Sequence, residues 1–458
     1  MPQAGMSCPL AAPSPLLLCY NRRTMSDCYY LDTMGCQMNE RDSETIAGLL
    51  ESLGLHRTES MTDAKVVVLN TCAVREKPEH KVFSKLGDVR KLKQQRPDMV
   101  VVVAGCVAQI AHEEIRRRAP FVDVIVGPRN LSGLTEAIRR STRPAQILAN
   151  EDEVIPEALA VCRVPGVAAF VNVSYGCNNF CAYCIVPYAR GREQSRAPEA
   201  VLGEVKQAVA DGYREITLLG QNVNSYQGLD ETDFASLLRL VAEVPGLARL
   251  RFTTSHPKDL SERLLDTMAE LGPLCEHLHL PIQAGDDEVL HRMGRGYTYS
   301  HYKSLVEAAR SRMPGLAITT DVMVGFPGET EEQFLNTLRA FEEIRYDQAF
   351  MFKYSDRPGT RAALATDKVP EAVKQDRLER LVAVQNTISH DINEALVGRD
   401  FEVLVEGPDP KSPGKLRGRT RTNKLMIFEA ADEDLRGKLV TVRAERGYLW
   451  GFTGRLPD

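Results

Sequence analysis

The sequence predicts an α/β protein in three parts: an open parallel sheet, a partial (β/α)6 barrel, and a small terminal β-barrel of OB-like size. From Asp27 to residue 143, wholly apolar runs alternate with helical patterns, as strands buried on both faces of a parallel sheet do. Over residues 166–396, six further strand-and-helix repeats can be placed, enough for a laterally open barrel. Residues 397–458 turn to short strands separated by glycine and proline, the pattern of a small all-β domain.

At 458 residues and 43% apolar content, the chain is expected to form about three domains at ~150 residues each. A net charge of −5 means that a nucleic-acid partner must be met by a local basic patch. Eleven cysteines are too dilute for a secreted disulfide framework and suit metal binding in a reducing cytoplasm. No run of 18 apolar residues is present, so no membrane span is expected. In residues 1–26, Pro9, Pro13 and Pro15 break an apolar stretch that Arg22 and Arg23 follow rather than precede, the reverse of a secretory signal. This segment is read as a disordered extension with Met25 as a useful start. The lack of acids before Asp27 leaves a mitochondrial presequence as the alternative.

In the first domain, residues 27–143, Cys28 to Asp32 is a short apolar run and Ser43 is expected to open a helix carrying Ile46, Leu49, Leu50 and Leu53 at helical spacing. Val66 to Leu69, Val100 to Val103 and Val122 to Val126 are buried strands. Cys36, Cys72 and Cys106 each lie just past the carboxyl end of a strand, where open α/β sheets place ligands. A single such cysteine is ordinary core, but three at equivalent places favour a shared metal cluster. Residues 144–165, with the acidic run Glu151-Asp152-Glu153, read as a linker.

The barrel strands are expected at Ala169 to Ser174, Ile216 to Gly220, Leu250 to Thr254, His277 to Pro281, Ala317 to Gly325 and Gln348 to Tyr354. A long helix, Leu378 to Leu396, closes them. After the first strand stands Cys177-Asn178-Asn179-Phe180-Cys181-Ala182-Tyr183-Cys184. Three thiolates at this spacing can hold three corners of a 4Fe-4S cluster and leave one iron open to chelate S-adenosylmethionine (SAM). This spacing resembles the radical SAM superfamily. Zinc usually closes with four ligands in paired halves, and no second pair is near. Tyr183 beside the last cysteine, Gly220-Gln221-Asn222 after the second strand, Gln283 after the fourth and Gly325 after the fifth are candidate SAM contacts. Read locally, the fourth and fifth loops are also βα turns capped by Asp286 and Thr330.

In the last domain, strands are expected at Phe401 to Val405, Leu425 to Phe428, Leu439 to Val442 and Tyr448 to Gly451. Lys411, Lys415, Arg417, Arg419, Arg421 and Lys424 follow one another without an acid and are read as a phosphate-binding loop. The basic stretch Lys77 to Arg96 contains Glu79 and Asp88 and reads as a solvated helix.

With these residues in view, the chain from Asp27 onward resembles the methylthiotransferases, most closely the bacterial group acting on N6-isopentenyladenosine of tRNA. The matching stretches are Met34-Gly35-Cys36-Gln37-Met38-Asn39, Leu69-Asn70-Thr71-Cys72, Gly105-Cys106, Tyr175 to Arg196, Leu219 to Tyr226, Thr254-Ser255-His256-Pro257-Lys258 and Gly418 to Asn423. The resemblance implies a radical SAM barrel, a terminal TRAM domain holding RNA, and two 4Fe-4S clusters. Cys177, Cys181 and Cys184 would hold the SAM-cleaving cluster, and Cys36, Cys72 and Cys106 an auxiliary cluster carrying the sulfur. SAM would serve as methyl donor and as radical source. The implied product is a methylthio group on C2 of the adenosine next to the anticodon. The adenosine must then be turned out of its stack, with Lys415, Arg417, Arg419, Arg421 and Lys424 gripping the anticodon stem-loop. A flavodoxin or ferredoxin would supply electrons, the sulfur source is open, and a cytoplasmic monomer is expected. The rivals within the chemistry are methylthiolation of threonylcarbamoyl-adenosine in tRNA and of an aspartate in a ribosomal protein. Asp286 departs from the serine that many relatives carry.

Overall fold

The computed structural model describes residues 27–73, 76–140, 145–150, 154–157, 159–430 and 434–457. The segment 1–26 and the run Glu151-Asp152-Glu153 lie outside them. The valine-rich runs pair as expected: β1 (Cys28–Thr33), β2 (His56–Arg57), β3 (Val66–Thr71), β4 (Val100–Gly105), β5 (Val124–Val126) and β6 (Gln146–Leu148) form one parallel sheet in the order β2-β1-β3-β4-β5-β6. Its helices are α1 (Gln37–Ser52), α2 (Glu76–Gln95), α3 (Cys106–Ile110), α4 (His112–Arg118) and α5 (Leu134–Arg140).

The structure corrects two expectations in this domain. The stretch 144–165 is not wholly irregular, because β6 adds to the sheet edge beside β5 and Cys162 N–H bonds the Glu44 carbonyl. Ser43 does not open the first helix. That helix starts at Gln37 with Cys36 as its N-cap, and Ser43 lies inside it, where its hydroxyl meets Thr33 Oγ1 at 2.7 Å and accepts from Asn70 Nδ2 at 2.9 Å. Buried polar partners outweighed the local capping preference of serine.

The central block contains β7 (Ala168–Asn172), a two-residue ribbon of β8 (Ser174–Tyr175) with β9 (Gln194–Ser195), β10 (Glu215–Leu219), β11 (Arg249–Phe252), β12 (His277–His279), β13 (Ala317–Val324) and β14 (Gln348–Lys353). Parallel triplets β11-β10-β7 and β12-β13-β14 are joined by the bridge Leu250 to Leu274. β7 and β14 each pair on one edge only, so the barrel is open between them. Around it run α6 (Val186–Arg190), α7 (Pro198–Ala210), α8 (Phe234–Ala242), α9 (Glu262–Glu270), α10 (Asp287–Met293), α11 (Tyr299–Arg312), α12 (Glu331–Ile344) and α13 (Glu371–Glu394). The closing helix begins after Pro370, earlier than the apolar pattern from Leu378 suggests. Proline is compatible with a helix start.

The last residues form a closed barrel of five strands, β15 (Asp400–Pro408), β16 (Lys415–Thr420), β17 (Leu425–Glu429), β18 (Leu439–Tyr448) and β19 (Gly451–Arg455), ordered β15-β16-β17-β19-β18. The basic segment read as a loop contains β16, and Tyr448 to Gly451 is the turn of the β18–β19 hairpin rather than a strand. This barrel sits against the amino-terminal ends of the central strands. Arg249, fully buried at the start of β11, donates to the carbonyls of Arg419 (2.6 Å) and Glu402 (3.0 Å). Arg251 donates to those of Arg421 (2.7 Å) and Thr420 (2.8 Å) and pairs with Glu215 at 3.0 Å. The opposite, carboxyl-terminal mouth is left for chemistry.

Replacing Arg251 with methionine leaves two carbonyls buried without their donor and Glu215 with Arg249 alone, at 4.0 Å. The expected cost is about 3–5 kcal/mol, measured as a lowered urea midpoint together with earlier proteolytic release of residues 397–458. An unchanged midpoint and cleavage rate contradict this docking role.

Candidate active site

The three strand-end cysteines of the first domain come together because their strands are neighbours in register. Thr71 of β3 pairs with Gly105 of β4 and Thr33 of β1 with Asn70 of β3, so Cys72 and Cys106 follow level positions and Cys36 tops the adjacent strand. The crowding is tight enough to require glycine beside it: Gly35 has φ +129°, and a Cβ there would lie 2.4 Å from Cys72 Cβ. The Cys72 thiol hydrogen-bonds the Cys36 sulfur and, with Arg190, brings Cys36 down to about 5, whereas burial pushes Cys106 up. Asn39 frames the group, donating to the carbonyls of Met34 (3.1 Å) and Thr71 (2.9 Å) and lying 3.7 Å from Cys36 Sγ.

Arg190 enters this site from the central barrel. It is the last residue of α6, which starts two residues after Cys184, and it is 3% exposed. Its Nη2 donates to Asp42 (2.6 Å) and Asn39 (2.9 Å). Despite its burial, Asp42 and the nearby Cys106 and Cys36 hold it firmly charged. Arg129 grips the end of α6 by donating to the carbonyls of Arg190 (3.1 Å) and Arg192 (2.9 Å). α3, which begins at Cys106, packs on α6, and a helix of five residues is only about 7.5 Å long. α6 thus links the loop of Cys177, Cys181 and Cys184 to the strand end that carries Cys106.

Cys177, Cys181 and Cys184 sit on a loop fixed from several sides. Cys177 N–H bonds the Gly191 carbonyl (3.1 Å), Ala182 N–H that of Met293 (2.8 Å), and Arg361 Nη2 that of Phe180 (2.9 Å). Burial pushes Cys177 up to about 11 and Cys184 up to about 12, a penalty that coordination of the thiolates removes. Buried Arg295 reaches Cys181 Sγ at 3.5 Å and Tyr297 OH at 3.1 Å, and Tyr183 lies in its field. Each triplet thus supplies three soft thiolates and one buried guanidinium, a donor set suited to an anionic iron-sulfur cluster with one open iron.

At the carboxyl ends of the first three barrel strands, several buried polar atoms find no protein partner: Asn172 Oδ1, Ser174 Oγ, Asn222 Oδ1, both amide atoms of Asn224, Ser255 Oγ and His256 Nε2. Orphaned groups of this kind mark a place a polar ligand fills. Burial, then Arg295 and Lys258, hold His256 down at about 2, so it is neutral. Thr254 (φ 70°) and Gln283 (φ 65°) adopt left-handed backbone without being glycine, strain that clusters at functional sites. A cavity of about 340 Å³ opens here between the Cys177 loop residues Asn178 and Asn179, Glu193, Asn222, Lys258 and Asp259, within the range of small-molecule sites. Gly220 and Gln221 lead into Asn222, whose Nδ2 donates to Asp259 at 2.7 Å. Gly325 behaves differently: a Cβ there would fall 2.2 Å from Lys374 Cγ, and its N–H bonds Glu329 (2.7 Å), which pairs with Arg377. The turn itself calls for glycine, with φ +71°, and α13 adds a second constraint. Asp286 and Thr330 are helix caps, as their local reading has it.

The basic segment is not unopposed. Arg417 and Arg419 share Glu406 (3.2 and 3.3 Å), Lys415 meets Glu429 (3.1 Å), Arg421 binds Glu276 (2.7 Å) and Lys424 binds Asp347 (2.7 Å). Arg421 and Lys424 are thereby domain anchors. Sequence reasoning missed Arg295 as a site residue and did not single out Trp450, 66% exposed at the hairpin turn near Tyr448, over which Arg446 lies at 5.1 Å. An aromatic beside arginine in a terminal barrel was the available signal for Trp450.

The fold and both sites define a radical SAM enzyme. Residues 171–341 match the Radical SAM superfamily, residues 28–127 the uncharacterized protein family UPF0004, and residues 394–456 the TRAM domain. Among solved structures, the radical S-adenosylmethionine methyltransferase TsrM from Kitasatospora setae shares the fold at TM-score 0.55 and 17% identity, over 74% of this chain and 77% of its own. The tRNA-2-methylthio-N(6)-dimethylallyladenosine synthase of Moorella thermoacetica is 49% identical over 93% of this chain and 97% of its own length, and that of Carboxydothermus hydrogenoformans 48% identical over 93% and 99%. The chain belongs to the tRNA-2-methylthio-N(6)-dimethylallyladenosine synthase family.

Replacing Arg190 with methionine strands Asp42 in the interdomain core. The expected loss is about 3–5 kcal/mol of stability, read from urea unfolding, with Arg190→Lys recovering part of it. Equal stability of the methionine variant and the parent contradicts this bridging role.

Proposed function

We propose that this chain modifies tRNA by placing a methylthio group on C2 of N6-dimethylallyladenosine next to the anticodon, using two 4Fe-4S clusters. The observation that carries this is the pair of three-thiol sites joined through α6, one in the barrel mouth and one on the neighbouring sheet rim, each with its own buried arginine. The relatives' shared name supplies the substrate. When bound, the group at Cys177, Cys181 and Cys184 together with SAM supplies an electron and a carbon radical able to take hydrogen from an unreactive C–H, and the group at Cys36, Cys72 and Cys106 supplies sulfur.

The chain's residues do the rest. Asn222, Asn224, Ser255 and His256 present the unpaired polar atoms that orient the amino-acid and ribose ends of SAM. Arg295 and Arg190 offset the negative charge that thiolates bring into low dielectric. The loop contacts to Met293 and Phe180 carbonyls fix the thiols and limit water. An adenosine turned out of its stack enters through the carboxyl-terminal mouth at a cost of a few kcal/mol, offset by phosphate contacts on the terminal barrel. Lys411, Lys415, Arg417 and Arg419 remain for that role, while Arg421 and Lys424 hold the barrel in place. Electrons come from a flavodoxin or ferredoxin, the enzyme acts as a monomer in the cytoplasm, and no helix among the described residues is long and apolar enough to cross a membrane.

The deciding experiment is nucleoside mass spectrometry of tRNA from a strain lacking this gene. Loss of the 2-methylthio derivative with accumulation of N6-dimethylallyladenosine is expected, and an unchanged level rules the proposal out. For the RNA interface, Arg417→Ala with Arg419→Ala is expected to weaken tRNA binding and lower the slope of log affinity against log salt by about 1 for each phosphate no longer neutralised. An unaltered slope removes β16 from the RNA interface.

A further inference from the structure

The inner wall of the open barrel edge carries carbon that nothing among the described residues covers. On β14, Ala349 and Met351 pack against the central core and Lys353 pairs with Glu371 of α13, so these alternate residues face outward. Gln348, Phe350 and Phe352 therefore face the barrel interior. Phe350 is 44% and Phe352 36% exposed. Their surroundings are polar: His279 lies edge-on to Phe350 with ring centroids 6.0 Å apart, and Asp321, the register partner of Phe350, is 3.6 Å from His279 Nε2. Below them the interior is closed by His277, Arg251 and the carbonyls of the terminal barrel. Above, Phe352 pairs with Met323, one residue short of the strand's end at Val324, which is the level of the chemistry. The space is thus floored, open at the β14 edge, apolar on one wall and acidic beside it.

We propose that Phe350 and Phe352 receive the dimethylallyl group of the substrate adenosine, with Asp321 accepting the N6–H. This rests on the adenosine substrate proposed above. A branched five-carbon group matches two exposed phenyl rings, and a secondary amine matches a half-exposed carboxylate. The threonylcarbamoyl group keeps the N6–H but does not match the rings. It carries its own carboxylate, which would meet the Asp321 charge and the negative faces of the rings. The pocket therefore selects between the two N6-modified adenosines by charge as well as by carbon, through a built-in repulsive element.

The test uses the full chain reconstituted anaerobically and three anticodon stem-loop hairpins, bearing adenosine, N6-dimethylallyladenosine or threonylcarbamoyl-adenosine at the same position, titrated to equilibrium. The parent protein is expected to prefer the dimethylallyl hairpin over plain adenosine by about 10- to 100-fold. Phe350→Ala with Phe352→Ala is expected to reduce that preference to about 3-fold or less, with affinity for the plain hairpin kept. Phe350→Leu with Phe352→Leu retains carbon at both places and is expected to keep most of the preference, which separates contact from misfolding. Asp321→Asn is expected to improve binding of the threonylcarbamoyl hairpin. A parent preference that survives the double alanine change overturns the pocket while leaving the substrate intact. A parent without any preference, coupled with no methylthio product, overturns the substrate reading itself.

Discussion

One guanidinium holds the reaction centre together. Arg190 is carried on the short helix that follows Cys184, yet it is buried in the neighbouring domain among Asn39, Asp42 and Cys106. A buried cation is tolerated only when fully paired, and its partners belong to the loop and helix that position Cys36. The relative placement of the two thiol groups is thus written into one ion pair and the carbonyl grip of Arg129. Further out, Glu204 of α7 receives Arg41, Arg163 and Arg196 at 2.7, 2.5 and 2.6 Å. This second buried node ties α1 to the barrel and offsets the cost of burying the carboxylate.

The same logic recurs at the other end of the barrel. Arg249 and Arg251 occupy strand positions that in a closed hydrophobic barrel would hold aliphatic side chains, and they direct their donors to the carbonyls of the terminal barrel. Docking through backbone carbonyls fixes orientation without demanding particular side chains from the partner. It also separates the two ends of the barrel, with the terminal domain below and the cysteine loop of Cys177, Cys181 and Cys184 above. The open edge at β14 starts just after Asp347, the partner of Lys424, and rises about 3.3 Å per residue toward the mouth. The lateral opening therefore links the terminal barrel to the reaction site.

Much of this was legible in the sequence because it depends on local pattern. Valine runs give parallel strands, and Cys36, Cys72, Cys106, Cys177, Cys181 and Cys184 all follow strands, so topology converts their spacing into two groups. What was not legible depends on distant partners. The basic run from Lys411 reads as free charge because Glu276, Asp347 and Glu406 are outside the window, and only folding brings them to Arg421, Lys424, Arg417 and Arg419. Ser43 has a capping residue's chemistry but directs it to Thr33 and Asn70. Arg295 stands in the sequence as an ordinary arginine, and the pairing of Arg190 with Asp42 across the domains is a property of the tertiary structure alone. Gly325 answers to its own left-handed turn, φ +71°, and also to a constraint the loop does not contain, the approach of Lys374.

That two separate three-thiol sites each hold a cluster is the central claim, and iron and acid-labile sulfide per chain after anaerobic reconstitution test it most directly. Two 4Fe-4S clusters predict about eight of each in the parent and about four in either triple alanine variant, of Cys36, Cys72 and Cys106 or of Cys177, Cys181 and Cys184. About four in the parent, unchanged when Cys36, Cys72 and Cys106 are replaced, contradicts a two-cluster centre.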